Sequence, residues 1–324
     1  MNYQAYLGHE SQLCAVEEVR LVGGKGDNMR LLQIRNAAGL ELTVSADRCA
    51  DLSRVIFKGD NMGYFAPCGY VAPAYYDDAG AGFLKSFTAG FLTTCGLTAV
   101  GSACVDEGEA LPLHGTIGNI PCERIWWEET EEAFVIHAQI TDARLYGRKM
   151  RLNRTLTVGK FENTVVITDK VTNLAAETSP CMLMYHMNMG YPLLSEEAVL
   201  TIPSTAVAPR DETAAKGIAD WDKLQKPTVG FAEQCFYHSF EGEGKAALYN
   251  PAIGKGLEIT YDPAQLPCFT QWKQMGVTEY VLGLEPGNCT PDGRDILRKE
   301  GRLQFLEPGE SKTFEVKITF KTEA

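Results

Sequence analysis

Long apolar runs are missing from this chain. No stretch approaches the ~20 residues that cross a bilayer as a helix, so a membrane span is not expected. Basic runs are missing too. Lys and Arg number 30 against 42 Asp and Glu, a net charge of -12. Nucleic acid and anionic membrane surfaces require a concentrated positive face, so neither is an expected partner. The ten cysteines are scattered, and none forms a C-x-x-C pair. That argues against a zinc ribbon or a thioredoxin-like site and for free thiols packed as small apolar residues in a reducing compartment. The opening Met1-Asn2-Tyr3-Gln4-Ala5 lacks the basic start and apolar stretch of a secretory signal, and a cytoplasmic location is expected. Linkers, low-complexity tracts and internal repeats are absent, so one domain spanning 1–324 is the simplest account.

Period-two alternation dominates what is present. Leu40, Leu42 and Val44 alternate with Glu41, Thr43 and Ser45, and Phe314, Val316, Ile318 and Phe320 alternate with polar partners. Residues 134–140, 151–158 and 161–171 read the same way. Such strands bury one face and wet the other, as in antiparallel sandwiches and barrels. Turn signals such as Lys58-Gly59-Asp60-Asn61 and Glu307-Pro308-Gly309-Glu310 separate them. Helical signals are few; the best spans 291–299, opened by Pro291 and Asp292 and followed by Gly301. Two irregular stretches, 66–90 and 206–229, are long enough to build a binding site over a β scaffold.

Histidine is scarce, with five in all, and two stand in polar islands on apolar strands. The islands are Pro112-Leu113-His114-Gly115, Tyr185-His186-Met187-Asn188 and Gly283-Leu284-Glu285-Pro286. Two imidazoles and a carboxylate can supply a proton donor and a proton acceptor near neutral pH. Each also has a plainer reading. His114 could be a loop histidine bonded to a carbonyl, His186 a satisfied core histidine and Glu285 a turn residue. Arg48, in Asp47-Arg48-Cys49-Ala50-Asp51, has a fork suited to hydroxyls and carboxylates, or it forms a structural ion pair. Trp272 could stack on a ligand ring or fill the core. Asn188, Tyr185 and Asp106 are further polar candidates.

Taken together, the islands and their order resemble the aldose 1-epimerase (galactose mutarotase-like) superfamily. The likeness is closer to a branch described only as a domain of unknown function. That branch shares the landmarks Asp47-Arg48-Cys49-Ala50-Asp51, Thr93-Thr94-Cys95-Gly96-Leu97, Pro112-Leu113-His114-Gly115 and the segment from Tyr185 to Pro192. The resemblance implies an all-β fold, a β-supersandwich of mostly antiparallel sheets that curve into a sugar-binding cleft. It implies Glu285 as the general base on the anomeric hydroxyl, His186 as the acid on the ring oxygen, and His114 as the histidine that binds or polarises the sugar. Arg48, Asn188, Trp272 and Tyr185 are then candidate substrate contacts. No metal or other cofactor is implied, the partner is a small-molecule sugar, and oligomeric state is left open. Two departures point away from plain galactose or glucose and toward an unusual sugar, an acidic sugar or a derivative. The family's Asn-Arg-Ile segment is replaced by Thr94-Cys95-Gly96-Leu97, with Arg48 as a possible substitute, and His186 is followed by Met187-Asn188 rather than Pro-Tyr. A non-catalytic sugar-binding or sugar-sensing protein, and an isomerase or lyase of a related sugar acid, are the alternatives.

Overall fold

The computed structural model describes residues 3–323; Met1 and Asn2, part of the opening segment read for a secretory signal, lie outside them. Three antiparallel sheets carry most of the strands. The first is a five-stranded meander from Ala15–Arg20 to Asp60–Asn61. The second has eight strands and is built around the long Ala133–Ala143, Lys149–Gly159, Thr164–Asn173 and Ser311–Lys321 strands. The third has six, in the spatial order Ala206–Pro209, Gln234–Ser239, Cys268–Met275, Tyr280–Gly287, Met182–Met189, Leu92–Leu97. The alternation read from the sequence is the pleat of these strands: Phe314, Val316, Ile318 and Phe320 are buried and their neighbours face out. Side chains from all three sheets meet in one apolar core.

Only two short α-helices occur among the described residues. Arg294–Lys299 begins three residues later than the sequence suggests, because Gly293 turns the chain with φ 112°. Asp292 does not open it; its carboxylate accepts from Thr290, Tyr237 and Arg302 instead. Asp106 accepts from Arg294 and Arg298, so it holds this helix in place. The other helix, Glu212–Lys216, is capped by Asp211, whose Oδ1 accepts from the Ala214 N–H at 2.9 Å. It lies within the 206–229 stretch that reads as irregular.

Charge stands in the middle of the core where alternation calls for apolar side chains. Arg154 and Asp169 are cross-strand partners on the inner face of the eight-stranded sheet. Arg154 donates twice to Asp169, at 2.9 and 2.7 Å, once to Asp51 at 2.7 Å, and once to the Thr94 hydroxyl at 2.7 Å. The Tyr185 hydroxyl donates to Asp169 at 3.0 Å. Asp51 belongs to the five-stranded sheet, while Thr94 and Tyr185 belong to the six-stranded one. One guanidinium therefore bridges all three sheets. Removing a single partner from such a buried set strands the others without solvent. Arg154→Met is expected to cost about 3–5 kcal/mol in urea unfolding, and replacing Arg154, Asp51 and Asp169 together by apolar residues of similar volume is expected to cost less than that single change.

Candidate functional site

The six-stranded sheet brings two of the islands side by side. Pairing of Met184 with Gly287 and of Met187 with Leu284 sets His186 opposite Glu285. Glu285 in turn faces Thr270 on the next strand, and His186 faces Thr93 on the other side. Directly opposed residues in antiparallel strands project from the same face, so these four side chains form a row. Trp272, two residues beyond Thr270, shares that face and lies opposite Gly283. A Cβ at Gly283 would collide with Glu285 Oε1 and come within 2.8 Å of Trp272 Cβ. The carboxylate thus lies in space that only glycine leaves open.

His114 arrives from a turn rather than a strand. Its φ of 58° is left-handed, a conformation in which histidine is tolerated better than most residues. Its N–H donates to the Gly101 carbonyl at 2.8 Å and its carbonyl accepts from Gly96. Gly115 follows with φ 74°, where any Cβ would collide with the Gly96 and Ala99 carbonyl oxygens. This turn sets the His114 ring edge-on to His186, with centroids 5.2 Å apart. Phe83 packs on His114, and Phe87 and Trp272 pack on His186, each at 5.3 Å.

These rings and carboxylates line one cavity of about 420 Å³, within the range of small-molecule sites. Four polar atoms on its lining residues are buried without a hydrogen-bond partner: His114 Nδ1, His186 Nδ1, Thr270 Oγ1 and Glu285 Oε1. His186 Nδ1 lies 3.2 Å from Glu285 Oε1, but the two are not aligned as donor and acceptor. Buried polar atoms are ordinarily satisfied, and a cluster of exceptions marks a place where something else supplies the partners. Burial pushes the Glu285 carboxyl well above its usual range, with Arg210 opposing and Glu233 reinforcing the shift. Burial lowers His186 to about 4, against a smaller opposing effect of the Asn188 side chain. It also drives His114 well below its usual value, helped by His186 and Arg210. Each group is held from charging, so the His186–Glu285 pair carries one proton between them near neutrality.

Of the eight residues singled out from the sequence, His114, His186, Glu285 and Trp272 line this cavity, and Arg48, Asn188, Tyr185 and Asp106 do not. Tyr185 precedes His186 by one residue and therefore points to the opposite face, into the core, where it meets Asp169. Asn188 is fully buried and its amide folds back onto the His186 carbonyl at 3.0 Å. Arg48 is buried elsewhere, its guanidinium donating to the Gly118 and Val71 carbonyls. It is neither a ligand in this cavity nor part of an ion pair with Asp47, which accepts from Arg30. The arginine that does line the cavity is Arg210, just past the Ala206–Pro209 strand. It pairs with Asp211 at 3.1 Å and with Glu233 at 3.4 Å, and Glu233 also accepts from Trp272 Nε1 at 2.9 Å. Phe83 and Phe87 come from the irregular 66–90 stretch, whose loop-over-scaffold signal was legible. Among the described residues, no group of three His, Cys, Asp or Glu is placed to hold a metal ion, and no helix is long and apolar enough to cross a membrane.

A sequence profile of the family DUF4432, described as a domain of unknown function, matches residues 26–320. The chain belongs to the DUF4432 family. A Klebsiella pneumoniae protein provisionally named an aldose 1-epimerase is 29% identical, with a TM-score of 0.88 over 94% of this chain and 83% of its own. A galactose mutarotase-like protein of Clostridium acetobutylicum superposes with a TM-score of 0.71 at 11% identity, over 96% of this chain and 99% of its own. A galactose 1-epimerase of Lactobacillus acidophilus does so with 0.66 at 15%, over 96% of this chain and 100% of its own. The DUF4432 chain thus has the galactose mutarotase-like fold that the resemblance implied. No curated protein is matched by its sequence.

The fit between Gly283 and Glu285 can be tested by structure. In Gly283→Ala the carboxylate must swing away, lengthening the 3.2 Å approach to His186, and overpacking against Trp272 is expected to cost about 1–3 kcal/mol. A crystal structure of the variant with that approach unchanged would show that the glycine is not what seats Glu285.

Proposed function

We propose that this chain is a sugar isomerase of the aldose 1-epimerase type, built as one mutarotase-like unit over residues 1–324. The observation that carries the reading is the unbonded approach of His186 Nδ1 and Glu285 Oε1 at 3.2 Å on the wall of a sugar-sized cavity. A cyclic aldose has its anomeric hydroxyl and its ring oxygen on one carbon. Exchange of its anomers requires a proton to leave the first while another reaches the second, so the base and the acid must be neighbours. Adjacent strands in register supply that geometry.

With the sugar bound, the pair's single proton passes from Glu285 to His186; Glu285 then accepts the O1 proton while His186 donates to the ring oxygen. The C1–ring-oxygen bond breaks and an open-chain aldehyde forms. Rotation about C1–C2 presents the other face, and the two transfers reverse, leaving the pair with the proton count it started with. His114, held neutral by burial, can accept or donate one hydrogen bond to a sugar oxygen, and Trp272, Phe83 and Phe87 offer apolar faces to the ring C–H groups.

Glu285→Gln is expected to lower anomer exchange about a hundred- to ten-thousand-fold, read by NMR exchange spectroscopy on a panel of aldoses, with the fold retained. A wild-type rate in that variant would remove Glu285 from the base role, and saturable binding without any acceleration would return the non-catalytic reading. The pH profile supplies a second check. Activity needs one proton on the pair. It is lost on the acid side as His186 gains a second proton near its value of about 4, and on the alkaline side as Glu285, raised by burial, gives up the only one. Wild-type kcat/KM is therefore expected to hold a plateau well above ordinary carboxylate titration and to fall at the raised Glu285 value.

A further inference from the structure

Arg210 is the only Lys or Arg that lines the cavity among the described residues, and its charge is already answered. Its Nε and Nη2 donate to Asp211 Oδ2 at 3.2 and 3.1 Å, and Nη2 also reaches Glu233 Oε1 at 3.4 Å. Asp211 is fixed in turn, because its other oxygen caps the Glu212–Lys216 helix. Glu233 is fixed by Trp272 Nε1 at its second oxygen. One guanidinium and two carboxylates leave this corner with a net negative charge. Nη1 of Arg210 has no hydrogen bond to any described residue, and the Glu233 carboxylate, which accepts one bond at each oxygen, has lone pairs to spare.

We propose that Arg210 and Glu233 form the specificity pair of the cavity, and that the cavity admits uncharged aldoses and rejects uronates and sugar phosphates. This rests on the sugar reading above and deepens it. A free N–H beside a free carboxylate lone pair matches a neutral hydroxyl, which accepts from the first and donates to the second, and neighbouring hydroxyls can engage both at once. An anionic substituent meets the opposite situation. It can accept from Nη1 only while lying beside the Asp211 and Glu233 carboxylates, so its attraction to Arg210 is offset by repulsion from two like charges and binding weakens. Trp272, hydrogen-bonded to Glu233, places an aromatic face next to the pair, so that ring stacking and hydroxyl recognition act on one ligand. The acidic-sugar option raised by the sequence departures is the one this charge arrangement disfavours.

The test is binding, read by protein chemical-shift titration with D-glucose, D-galactose, D-glucuronate, D-galacturonate and D-glucose 6-phosphate. The wild type is expected to bind a neutral member at least about tenfold more tightly than its anionic counterpart. In Glu233→Gln with Asp211→Asn, Arg210 is unmasked and the anionic members are expected to gain about tenfold, a gain that adding Arg210→Gln removes. An amide spectrum of the double variant as dispersed as that of the wild type shows that it is folded. If the double variant is unfolded, the wild-type preference and the single Glu233→Gln variant decide. An anionic member bound as tightly as its neutral parent, or no saturable binding by any neutral member, overturns the proposal. The readout does not depend on catalysis. Neutral sugars bound without anomer exchange would sink the epimerase reading and leave charge selection standing, whereas exchange of glucuronate anomers alone would do the reverse.

Discussion

One buried guanidinium holds the molecule's layers in register. Arg154 stands where the pleat calls for a hydrocarbon side chain and binds carboxylates from two different sheets and a hydroxyl from the third. Such a set is weak evidence for net stability, since apolar residues can fill the same volume at lower desolvation cost. Its effect here is geometric. Thr94 and Tyr185, which it engages, are the immediate chain neighbours of Thr93 and His186. Strand alternation turns each pair back to back, so the site-facing row is clamped from behind through the very strands that display it.

Desolvation sets the chemistry on the other face. Glu285 and His186 are both buried, and the same environment that raises one lowers the other. The two shifts invert the ordinary order of the groups, so the pair's one proton rests on Glu285. Arg210 adds a distant tilt, since its charge is felt at both Glu285 and His114.

The strands were legible because alternation is local: the 314–320 pattern predicts its own burial without reference to any partner. His186 and Glu285 were legible because ionisable groups are scarce on apolar strands, and His114 because a glycine follows it at a turn. What the sequence could not disclose was partnership. Tyr185 and Asn188 look like members of the His186 island, yet parity sends the first into the core and a main-chain carbonyl holds the second. Arg48 is attractive as an isolated arginine, but it is sealed against the Gly118 and Val71 carbonyls. Arg210 lies in the irregular 206–229 stretch without a motif of its own, and only the pairing of Ala206–Pro209 with Gln234–Ser239 carries it to the cavity. Asp51, Arg154 and Asp169 meet across separations that no local pattern encodes.

The aromatic wall has a different origin from the proton-handling groups. Phe83 and Phe87 sit on a connecting segment around the short Gly82–Lys85 turn, outside the three large sheets, while His186 and Glu285 are set by the register of the six-stranded sheet. The segment can therefore accept insertions or exchange its rings over generations without disturbing the strands beneath. A lineage built on this scaffold could reshape what the cavity admits by editing that one stretch, leaving the paired strands as they are.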